Sequence, residues 1–508
     1  MQEYFPSLDD FGKLSEMGDV VPIFKEIPAL SGDPVSAYLK IREKKYSFLF
    51  ESVEGGEKWA RYSFFGNDPF IILRSKNTEM QVIRGDQREI LEVSDPFEFM
   101  QNFMSNYNPV RVEGLPRFCG GAVGYISYDA IRFVETLPDL SDDDLDLPDL
   151  FFMLTRSMVI FDNLNKSLKV VSNAFLNHGS VDPYQEATDS IDGLVDRLTQ
   201  ERSFVVNFKE DSNSSEDDKC LMEDKFSSSF TSTHFENSVS KIVELINEGE
   251  AIQVVLSQRL ERELHVDPFS LYCSLRKVNP SPYMFFLTLD EIILVGASPE
   301  VLVRLEDDTV EVRPIAGTRK RGRNEREDLE LEKELLADEK EIAEHIMLLD
   351  LGRNDIGRIC VPGTVNVTEK MIVERYSHVM HIVSNVSGKL ISDKDAFDVI
   401  RATFPAGTVS GAPKVRAMEI IEEIEPVRRG PYAGAVGYFG FDGNMDTCIA
   451  IRTVYIKDGK IYLQVGAGIV SDSKPSFEFE ETINKAKGML RAIQVARDVI
   501  VVERNEGK

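Results

Sequence analysis

Cysteine is scarce in this sequence, and its few copies are scattered. The 508 residues include five cysteines, at Cys119, Cys220, Cys273, Cys360 and Cys448. No two of them form a CxxC pair, so neither a zinc knuckle nor a disulfide framework is indicated. Reduced thiols in a cytoplasmic protein are the expectation that fits this pattern.

Acidic residues outnumber basic ones, and the sequence has no long apolar run. Lys and Arg total 58 against 86 Asp and Glu, which gives a formal net charge of −28. A nucleic-acid binder needs a basic face, as does a protein that docks on an anionic membrane, so both classes are disfavoured. The sequence contains no apolar run long enough to span a membrane. Residues 1–5 lack the basic start of a signal peptide, and we therefore expect a cytoplasmic location.

The sequence does contain the composition of a large globular enzyme, with one internal break. A chain of 508 residues exceeds what one core usually holds. Residues 209–233 are rich in Ser, Asp and Glu and have almost no apolar periodicity, which is typical of a surface linker. We therefore predict an N-terminal domain 1–208, a linker 209–233 and a C-terminal domain 234–508. A loop inside a single domain is the alternative.

Strand-like and helix-like patterns occur in runs along the chain. Short apolar runs bounded by turn residues predict strands at 46–52, 59–65, 70–74, 80–84, 282–295, 301–314, 447–456 and 460–469. Acidic turns are expected inside two of these stretches, at Asp290-Glu291 and at Asp307-Asp308. Apolar residues at helical spacing predict helices at 182–202, 236–249, 325–351, 414–424 and 475–502. Runs of each type, without strict alternation, indicate an α+β fold with large antiparallel β-sheets.

One short motif occurs twice. The sequence GAVGY stands at 121–125 and again at 434–438. Small residues that alternate along a strand let a neighbouring backbone approach closely, so we predict that both copies lie in a tightly packed sheet. Neither copy leads GxGxxG into a helix, and a dinucleotide fingerprint is therefore not indicated.

Four carboxylates occur in two pairs of equal spacing. Glu341 and Glu344 stand three apart in one predicted helix, and Glu478 and Glu481 stand three apart in another. Residues at this spacing share a helix face, so two such helices offer oxygen ligands that suit Mg²⁺. The alternative is that these glutamates lie on solvated helix faces.

Histidines and glycine-rich loops complete the candidate site. His378 and His381 lie in a predicted strand at an odd separation, so only one of them can face a given cleft; a purely structural histidine is the alternative. The loop 407–414 leads into a helix, where free N–H groups favour an anion. The run 466–468 is Gly-Ala-Gly. No GxxxxGK[ST], GxSxG or HExxH motif is present, so the pattern indicates a small carboxylate ligand with Mg²⁺.

These motifs, taken in order, resemble the chorismate-utilising enzymes. The similarity rests on PIAGTR at 314–319, the run from Asp338 to Asp355, SHVMH at 377–381, residues 407–416 and GAG at 466–468. It covers nearly all of 235–500 and extends more loosely to 48–52 and 120–125. The resemblance implies antiparallel sheets in a sandwich with flanking helices, and chemistry on chorismate.

The resemblance also implies roles for individual residues. Glu344 and Glu481 would bind Mg²⁺, with Glu341 and Glu478 beside them, and Glu344 would also act as the proton donor. His381 would assist the elimination of pyruvate. The substrate-binding residues would be Gln253, Ala316, Gly317, Thr318, Thr408, Tyr432, Arg452, Gly466, Ala467 and Gly468. Tyr432 and Arg452 would hold the enolpyruvyl carboxylate of chorismate, and Thr408 would act in catalysis.

Two positions discriminate among the reactions of this family. Members that use water carry a Lys base where this chain has Gln253, and aminodeoxychorismate synthases carry a nucleophilic Lys where it has Ala316. Both departures indicate direct attack by ammonia and formation of anthranilate, the first step of tryptophan biosynthesis. An aminodeoxychorismate synthase with an atypical alanine, and a non-catalytic amino-acid sensor, remain the alternatives.

The resemblance finally implies a partner and an inhibitor. No cysteine of the chain lies in a glutaminase motif, so ammonia would come from a separate glutamine amidotransferase subunit in a heterotetrameric complex. Tryptophan would inhibit the enzyme by feedback. Its site would be formed by Glu51, Ser52, Pro282, Tyr283 and Met284.

Overall fold

The structure is a computed structural model, and it describes residues 3–30, 32–53, 61–177, 181–208, 226–376 and 379–505. Three features of the sequence analysis lie wholly or mostly outside these residues. They are Cys220, His378 and the greater part of the predicted linker 209–233.

The helices of the described residues lie mainly on the outer faces of two sheets. They are α1 (Leu8–Leu14), α2 (Pro34–Ile41), α3 (Pro96–Met104), α4 (Pro183–Thr199), α5 (Ser232–Asn247), α6 (Pro268–Val278), α7 (Glu325–Ala337), α8 (Glu339–Gly357), α9 (Ala396–Thr403), α10 (Lys414–Ile424) and α11 (Pro475–Val495). Within the described part of the chain, no helix is both long and apolar enough to cross a membrane.

Strands make up the centre of the molecule. In the first part of the chain they are β1 (Val20–Pro28), β2 (Tyr46–Glu51), β3 (Tyr62–Asn67), β4 (Ile71–Lys76), β5 (Glu79–Arg84), β6 (Gln87–Glu92), β7 (Gly121–Ile126), β8 (Leu150–Thr155), β9 (Ser157–Asp162), β10 (Ser167–Phe175) and β11 (Arg202–Phe208). In the second part they are β12 (Ser227–Ser228), β13 (Gln253–Glu263), β14 (Tyr283–Leu289), β15 (Ile292–Ser298), β16 (Val301–Glu306), β17 (Thr309–Val312), β18 (Ile315–Lys320), β19 (Asn366–Arg375), β20 (Val379–Lys389), β21 (Gly411–Ala412), β22 (Ala435–Gly440), β23 (Met445–Ile449), β24 (Thr453–Lys457), β25 (Lys460–Ile469) and β26 (Val499–Asn505).

Two large antiparallel sheets pack face to face. The first has the order β1-β10-β9-β3-β2-β14-β15-β24-β25-β13-β12, with β21 paired to β13. The second has the order β18-β20-β17-β16-β23-β22-β7-β8-β4-β5-β6, with β19 paired to β20. A buried cluster with members from both sheets, among them Phe48, Val123, Leu294 and Val436, fills the space between them. The predicted α+β fold with antiparallel sheets is therefore confirmed.

Helices cover the outer faces of this sandwich. One buried cluster joins α2, α4, α6 and α11 to the first sheet, and another joins α3, α8 and α9 to the second. A third cluster places α5 and α10 against β13 and β25. This third cluster supports the sheet end where the candidate site lies.

Each sheet takes strands from both predicted chain segments. In the first sheet β2 pairs with β14, and in the second β7 pairs with β22. The two GAVGY copies lie on β7 and β22, with Gly124 opposite Gly437. A Cβ on Gly124 would lie 1.8 Å from the Phe151 carbonyl oxygen, so a close backbone approach requires glycine there. The predicted segments 1–208 and 234–508 thus share both sheets.

The predicted helix 325–351 is wrong in its continuity. The chain forms α7 and α8 with a break at Asp338, whose ψ of 105° is not helical. The Asp338 carboxylate accepts hydrogen bonds from the N–H groups of Lys340 and Glu341, so it caps the second helix. Glu341 and Glu344 lie in the first turns of α8, and they keep the shared face that their spacing predicts.

The predicted strand 447–456 is also wrong, because the chain changes sheets within it. Residues 445–449 form β23 in the second sheet, and residues 453–457 form β24 in the first. Arg452 lies in the crossing with a φ of +51°, a left-handed conformation that is uncommon for a residue with a side chain.

The final helix ends earlier than predicted. α11 stops at Val495, a short 3₁₀ turn follows, and residues 499–505 form β26. β26 pairs with β11, and the two form a small separate sheet. A run of β-branched residues at 499–502 explains the change from helix to strand.

Candidate active site

The candidate site lies where β13 and β25 of the first sheet approach α8, α11 and β18. Gly466 and Gly468 on β25 pair with Ser257 and Val255 on β13. The loop after α9 forms a 3₁₀ turn at Gly407–Val409, and β21 then pairs with the start of β13, with Ala412 opposite Gln253. The two predicted segments 407–414 and 466–468 therefore meet at the start of β13.

Gln253 is held at the first position of β13. Its side-chain Nε2 donates to Glu344 Oε1 at 3.3 Å. A Cβ on Gly468 would lie 2.4 Å from that nitrogen, so glycine is needed for the amide to take this position. The Gln253 Oε1 atom is buried and has no hydrogen-bond partner among the described residues. A buried acceptor of this kind is available to a ligand in the cleft.

The four predicted carboxylates lie on the two facing helices α8 and α11. Burial raises the pKa of Glu344, and the nearby charges of Glu341 and Glu481 add to this effect. Burial likewise raises the pKa of Glu478, with a further contribution from Glu481. These carboxylates are therefore close enough to repel one another, which is the condition that a bound cation relieves.

Two of these carboxylates have basic partners. Glu341 accepts a hydrogen bond from Arg319 at 3.0 Å, and Glu481 pairs with Lys485 at 2.7 Å. Lys485 also donates to the Gly466 carbonyl oxygen at 3.1 Å. Among the described residues, no group of three or more His, Cys, Asp or Glu side chains surrounds one point as a formed metal site.

His381 faces the same region from β20. Its Nδ1 lies 3.0 Å from the Gly317 carbonyl oxygen and 3.1 Å from Thr318 Oγ1. A carbonyl only accepts, so we assign the proton to Nδ1, which leaves the Nε2 lone pair available. Burial lowers the pKa of His381, and the charge of Arg452 adds to this effect, so the ring is neutral at neutral pH.

Gly317 connects the histidine to the carboxylates. It has a φ of +68°, and a Cβ on it would lie 3.3 Å from Glu341 Oε2. Ala316, one residue earlier, pairs with Ile382 of β20, and its methyl group carries no nucleophile. The predicted segment 316–318 thus lies between His381 and Glu341.

Arg452 and Tyr432 form the other wall of the site. The Arg452 guanidinium makes no ion pair or hydrogen bond with any residue that the structure describes. Burial lowers its pKa, against the opposite effects of Tyr432 and Glu481 nearby. A Cβ on Gly466 would lie 2.7 Å from the Tyr432 hydroxyl, so the tyrosine packs directly on β25. A partly buried arginine without a counter-ion is suited to an anionic ligand.

The sequence analysis missed Glu300, which follows β15 and has only 6% of its surface exposed. Burial raises the pKa of Glu300 to about 8, against smaller opposite effects of the Thr408 hydroxyl and the Ile315 N–H. The Thr408 hydroxyl itself is buried and makes no hydrogen bond of normal geometry to a described residue. The signal was available: a single acid interrupts the apolar sequence between two strands.

Ala467 differs from its glycine neighbours. Its side chain is fully buried and packs in the cluster formed by α5, α10 and the adjoining strands. Only its backbone is therefore available to a ligand in the cleft.

The five residues predicted for the inhibitor line one pocket between the two sheets. These residues are Glu51, Ser52, Pro282, Tyr283 and Met284. Aromatic side chains, including Phe64 and Tyr438, form much of the remaining wall. The sequence analysis missed Arg304 and Asp446, which pair at 2.7 Å at the same pocket.

Glu51 has buried partners of its own. Arg276 donates to it at 3.1 Å, and the Tyr272 hydroxyl donates to its other oxygen. Burial raises the pKa of Glu51 despite these partners. Both oxygens of the Glu51 carboxylate are therefore engaged by residues of α6, on the outer face of the first sheet.

Comparisons with known proteins agree with this geometry. The family model described as chorismate binding enzyme matches residues 48–491. Anthranilate synthase component 1 of Acetivibrio thermocellus is 46% identical over 98% of this chain and 100% of its own length. The protein of the same name from Aquifex aeolicus is 47% identical over 97% of this chain and 98% of its own length.

Solved structures give the same result. Anthranilate synthase component I from Streptococcus pneumoniae superposes with a TM-score of 0.73 at 34% identity, covering 91% of this chain and 99% of that one. The menaquinone-specific isochorismate synthase of Escherichia coli superposes with a TM-score of 0.69 at 18% identity, over 96% of this chain and 98% of that one. The second likeness concerns the fold alone.

Proposed function

The chain belongs to the family of chorismate-binding enzymes, and from this membership we propose that it is the large subunit of an anthranilate synthase. It converts chorismate and ammonia to anthranilate and pyruvate. Relatives of that name are 43% to 47% identical to this chain and span nearly its whole length. Gln253 and Ala316 agree with this assignment, since neither supplies the lysine of the water-using or covalent members.

The observation that carries the proposal is the Arg452 guanidinium, which has no hydrogen-bonding or ionic partner among the described residues. Chorismate has two carboxylates, and a planar, permanently charged fork suits one of them. Tyr432 lies beside Arg452 and offers a hydroxyl to the same group. The enolpyruvyl carboxylate would bind here, with the ring extending towards Gly466 and Gly468.

The first chemical step adds ammonia to the ring and removes the 4-hydroxyl. The buried Gln253 Oε1 accepts a hydrogen bond from ammonia and so positions its lone pair, without acting as a base. Glu300 is protonated at neutral pH because burial raises its pKa to about 8, so it can give a proton to the departing hydroxyl, which leaves as water. We assign the acid to Glu300 rather than Glu344, because Glu344 accepts the Gln253 hydrogen bond.

The second step removes pyruvate. The neutral His381 ring has its Nδ1 proton directed at Gly317, so Nε2 can take the proton from the ring carbon that bears the new amino group. Loss of that proton makes the ring aromatic, the bond from the ring to the enolpyruvyl oxygen breaks, and pyruvate leaves. Thr318 Oγ1, 3.1 Å from Nδ1, helps to fix the ring orientation.

The carboxylates of α8 and α11 are suited to Mg²⁺. Glu344 and Glu481 would hold the ion, with Glu341 and Glu478 close by. The pKa values of Glu344 and Glu478 are raised, as expected for carboxylates that a cation would stabilise. Bound Mg²⁺ supplies positive charge next to the ring carboxylate of chorismate. Lys485 and Arg319 form ion pairs with Glu481 and Glu341.

Ammonia would come from a separate glutamine amidotransferase subunit. A glutaminase needs a reactive cysteine thiolate, but burial raises the pKa of the Cys119 thiol to about 12 and that of Cys360 to about 11. Burial also raises the thiol pKa values of Cys273 and Cys448. The described cysteines are therefore protonated and unsuited to this role, which supports a heteromeric complex with a glutaminase partner.

Tryptophan is the proposed inhibitor at the pocket between the sheets. The aromatic wall, with Phe64 and Tyr438, suits an indole ring, and Ser52, next to Glu51 at the wall, offers its hydroxyl oxygen to the ammonium group. Asp446 and Arg304 add one charge of each sign at the same pocket, which suits an amino acid with both charges.

The purified chain tests this function with chorismate, Mg²⁺ and an ammonium salt at alkaline pH, where free ammonia is abundant. Anthranilate, followed by its fluorescence, is the expected product. Replacing the ammonium salt by glutamine should give no anthranilate, because the chain carries no glutaminase. Isochorismate, or an aminated product that stays non-aromatic, would contradict the proposal.

A further inference from the structure

A fully buried arginine lies behind the candidate site. Arg429 follows α10 and has 1% of its surface exposed. Its Nε donates to Glu425 Oε2 at 2.9 Å, and its Nη2 donates to Glu425 Oε1 at 2.7 Å. This two-pronged pair is itself buried, since Glu425 is 5% exposed.

The remaining hydrogen bonds of Arg429 reach two segments of the site. Its Nη1 donates to the Val409 carbonyl oxygen at 2.7 Å, and Val409 is the neighbour of Thr408. Its Nη2 donates to the Val255 carbonyl oxygen at 2.7 Å, on the strand that begins with Gln253. One guanidinium therefore links the Thr408 turn to β13.

A third segment packs on the same group. The guanidinium carbon lies 5.6 Å from the ring centre of Tyr432 and 4.6 Å from that of Tyr128. Contacts of this kind between a cation and an aromatic face are favourable. Arg429 thus touches the tyrosine that would bind the enolpyruvyl carboxylate.

Glu425 extends the link to the glycines of β25. Its Oε1 accepts hydrogen bonds from the Ser257 N–H at 2.7 Å and from the Ser257 hydroxyl at 2.9 Å. Ser257 pairs with Gly466, and its hydroxyl also accepts from Gln464 Nε2 at 2.8 Å. The pair therefore contacts β13, which begins with Gln253, and is linked through Ser257 to β25, which carries Gly466 and Gly468.

We propose that the Arg429–Glu425 pair is a positioning device that fixes Thr408, Tyr432 and Gln253 relative to one another for chorismate. Neither residue contacts the substrate, because both are buried behind the cleft. A buried ion pair is a poor way to stabilise a fold, since its desolvation cost offsets its attraction and apolar residues often serve as well. The planar fork, by contrast, can hold two carbonyls and a carboxylate at fixed angles.

The test removes both charges together, so that neither is left buried alone. In the E425Q/R429M variant, we expect the Kd for chorismate, measured by calorimetry without ammonia, to rise roughly tenfold or more. We expect kcat to fall about 10²-fold, the effect of misplacing reacting groups by about 1 Å. A loss of folded protein alone would lower the active fraction but would leave the Kd unchanged.

A second ion pair, between the buried Arg259 of β13 and the exposed Asp144, provides the control. Arg259, 5% exposed, donates to Asp144 at 3.0 Å, and its guanidinium lies 5.6 Å from the Tyr462 ring centre. The D144N/R259M variant should keep Kd and kcat within twofold of the wild type. Equal losses in this control, or an unchanged Kd and kcat in folded E425Q/R429M, would overturn the proposal.

The R429K variant keeps the test decisive if the double variant does not fold. Lysine retains the charge beside Glu425, but its single ammonium cannot hold both carbonyls in the plane that Arg429 uses. We expect an intermediate rise in Kd, and wild-type values would overturn the proposal. The inference rests on the proposed function, which identifies chorismate as the ligand. If the wild-type chain binds chorismate but forms no anthranilate, the proposed function is refuted, and the comparison of Kd values between variants remains valid.

Discussion

The Glu300→Gln variant tests whether Glu300 is the proton donor of the first step, because it removes the acidic proton and keeps the shape of the side chain. Glutamine has nearly the same shape and can still accept the Ile315 N–H, but it cannot donate an acidic proton. Positioned acid catalysis contributes about 10²–10⁴-fold, so kcat should fall by roughly that factor. In the wild type, the rate at constant free ammonia should fall as pH rises above 8, because the pKa of Glu300 is about 8. The Glu300→Gln variant should not show this fall in rate above pH 8.

The same substitution should stabilise the protein. The ordinary pKa of this group is 4.5 and its folded value is about 8. Between these pH values the folded chain holds a proton that the unfolded chain has released. The free energy of unfolding therefore falls as pH rises from 4.5 to 8 and levels off above. At pH 7 the fall is on the order of 3 kcal/mol, and Glu300→Gln should recover it, with little difference from the wild type near pH 4.5.

Asp149 gives the matched control for this experiment. It is buried away from the site, accepts a hydrogen bond from the Asn77 N–H at 2.6 Å, and has its pKa raised to about 6 by burial. Asp149→Asn should stabilise the protein at pH 7 as well, but leave kcat unchanged. Denaturant unfolding and steady-state rates over pH 5–9 measure both effects. A Glu300→Gln variant with normal kcat, and with the same fall in rate above pH 8 as the wild type, would refute the assignment of Glu300 as the acid.

The remaining predictions concern the second step, the metal and the inhibitor. His381→Met should still consume chorismate but accumulate an aminated, non-aromatic intermediate, detectable by chromatography; loss of both steps together would show a purely structural histidine. Glu481→Gln should weaken Mg²⁺ activation in a metal titration, whereas the exposed neighbour Glu480→Gln should not; equal behaviour would place Glu481 on a solvated face. Ser52→Ala should keep anthranilate formation but weaken tryptophan inhibition by about 1.5–3 kcal/mol, measured from the inhibition constant; unchanged inhibition would contradict the placement of the effector.

Helices and turns that depend mainly on neighbouring residues in the chain were predicted from the sequence pattern. The helix at 414–424 has the predicted bounds. The turns expected at Asp290 and Asp307 have those residues at φ values of +60° and +54°, a conformation that short polar side chains tolerate. The paired glutamates and the repeated GAVGY motif lie on the elements that their spacing predicted.

Features that depend on tertiary structure were not predictable in this way. The apolar pattern continues across 447–456, so nothing local indicates that the chain leaves one sheet and enters the other at Arg452. That crossing gives Arg452 its place in the site. The β-branched residues 499–502 favour a strand, but their partner β11 lies some three hundred residues earlier, so the local sequence gives no sign of this pairing.

The site was predicted by motif rather than by geometry. The predicted residues from Gln253 to Glu481 meet in one region, but the sequence analysis did not select Glu300 or Arg429. Glu300 is a lone acid between two strands, and Arg429 is one of two adjacent arginines. Their importance follows from burial and from partners that only the folded chain brings together.

The ratio of anthranilate to pyruvate formed with labelled ammonia most directly tests the central claim, that this chain makes both from chorismate and ammonia. The purified chain would be supplied with chorismate, Mg²⁺ and ¹⁵N-ammonium, and the products measured by mass spectrometry and a pyruvate assay. The account predicts ¹⁵N-anthranilate and pyruvate in equal amounts. Chorismate consumption that yields no ¹⁵N in an aromatic product would contradict it.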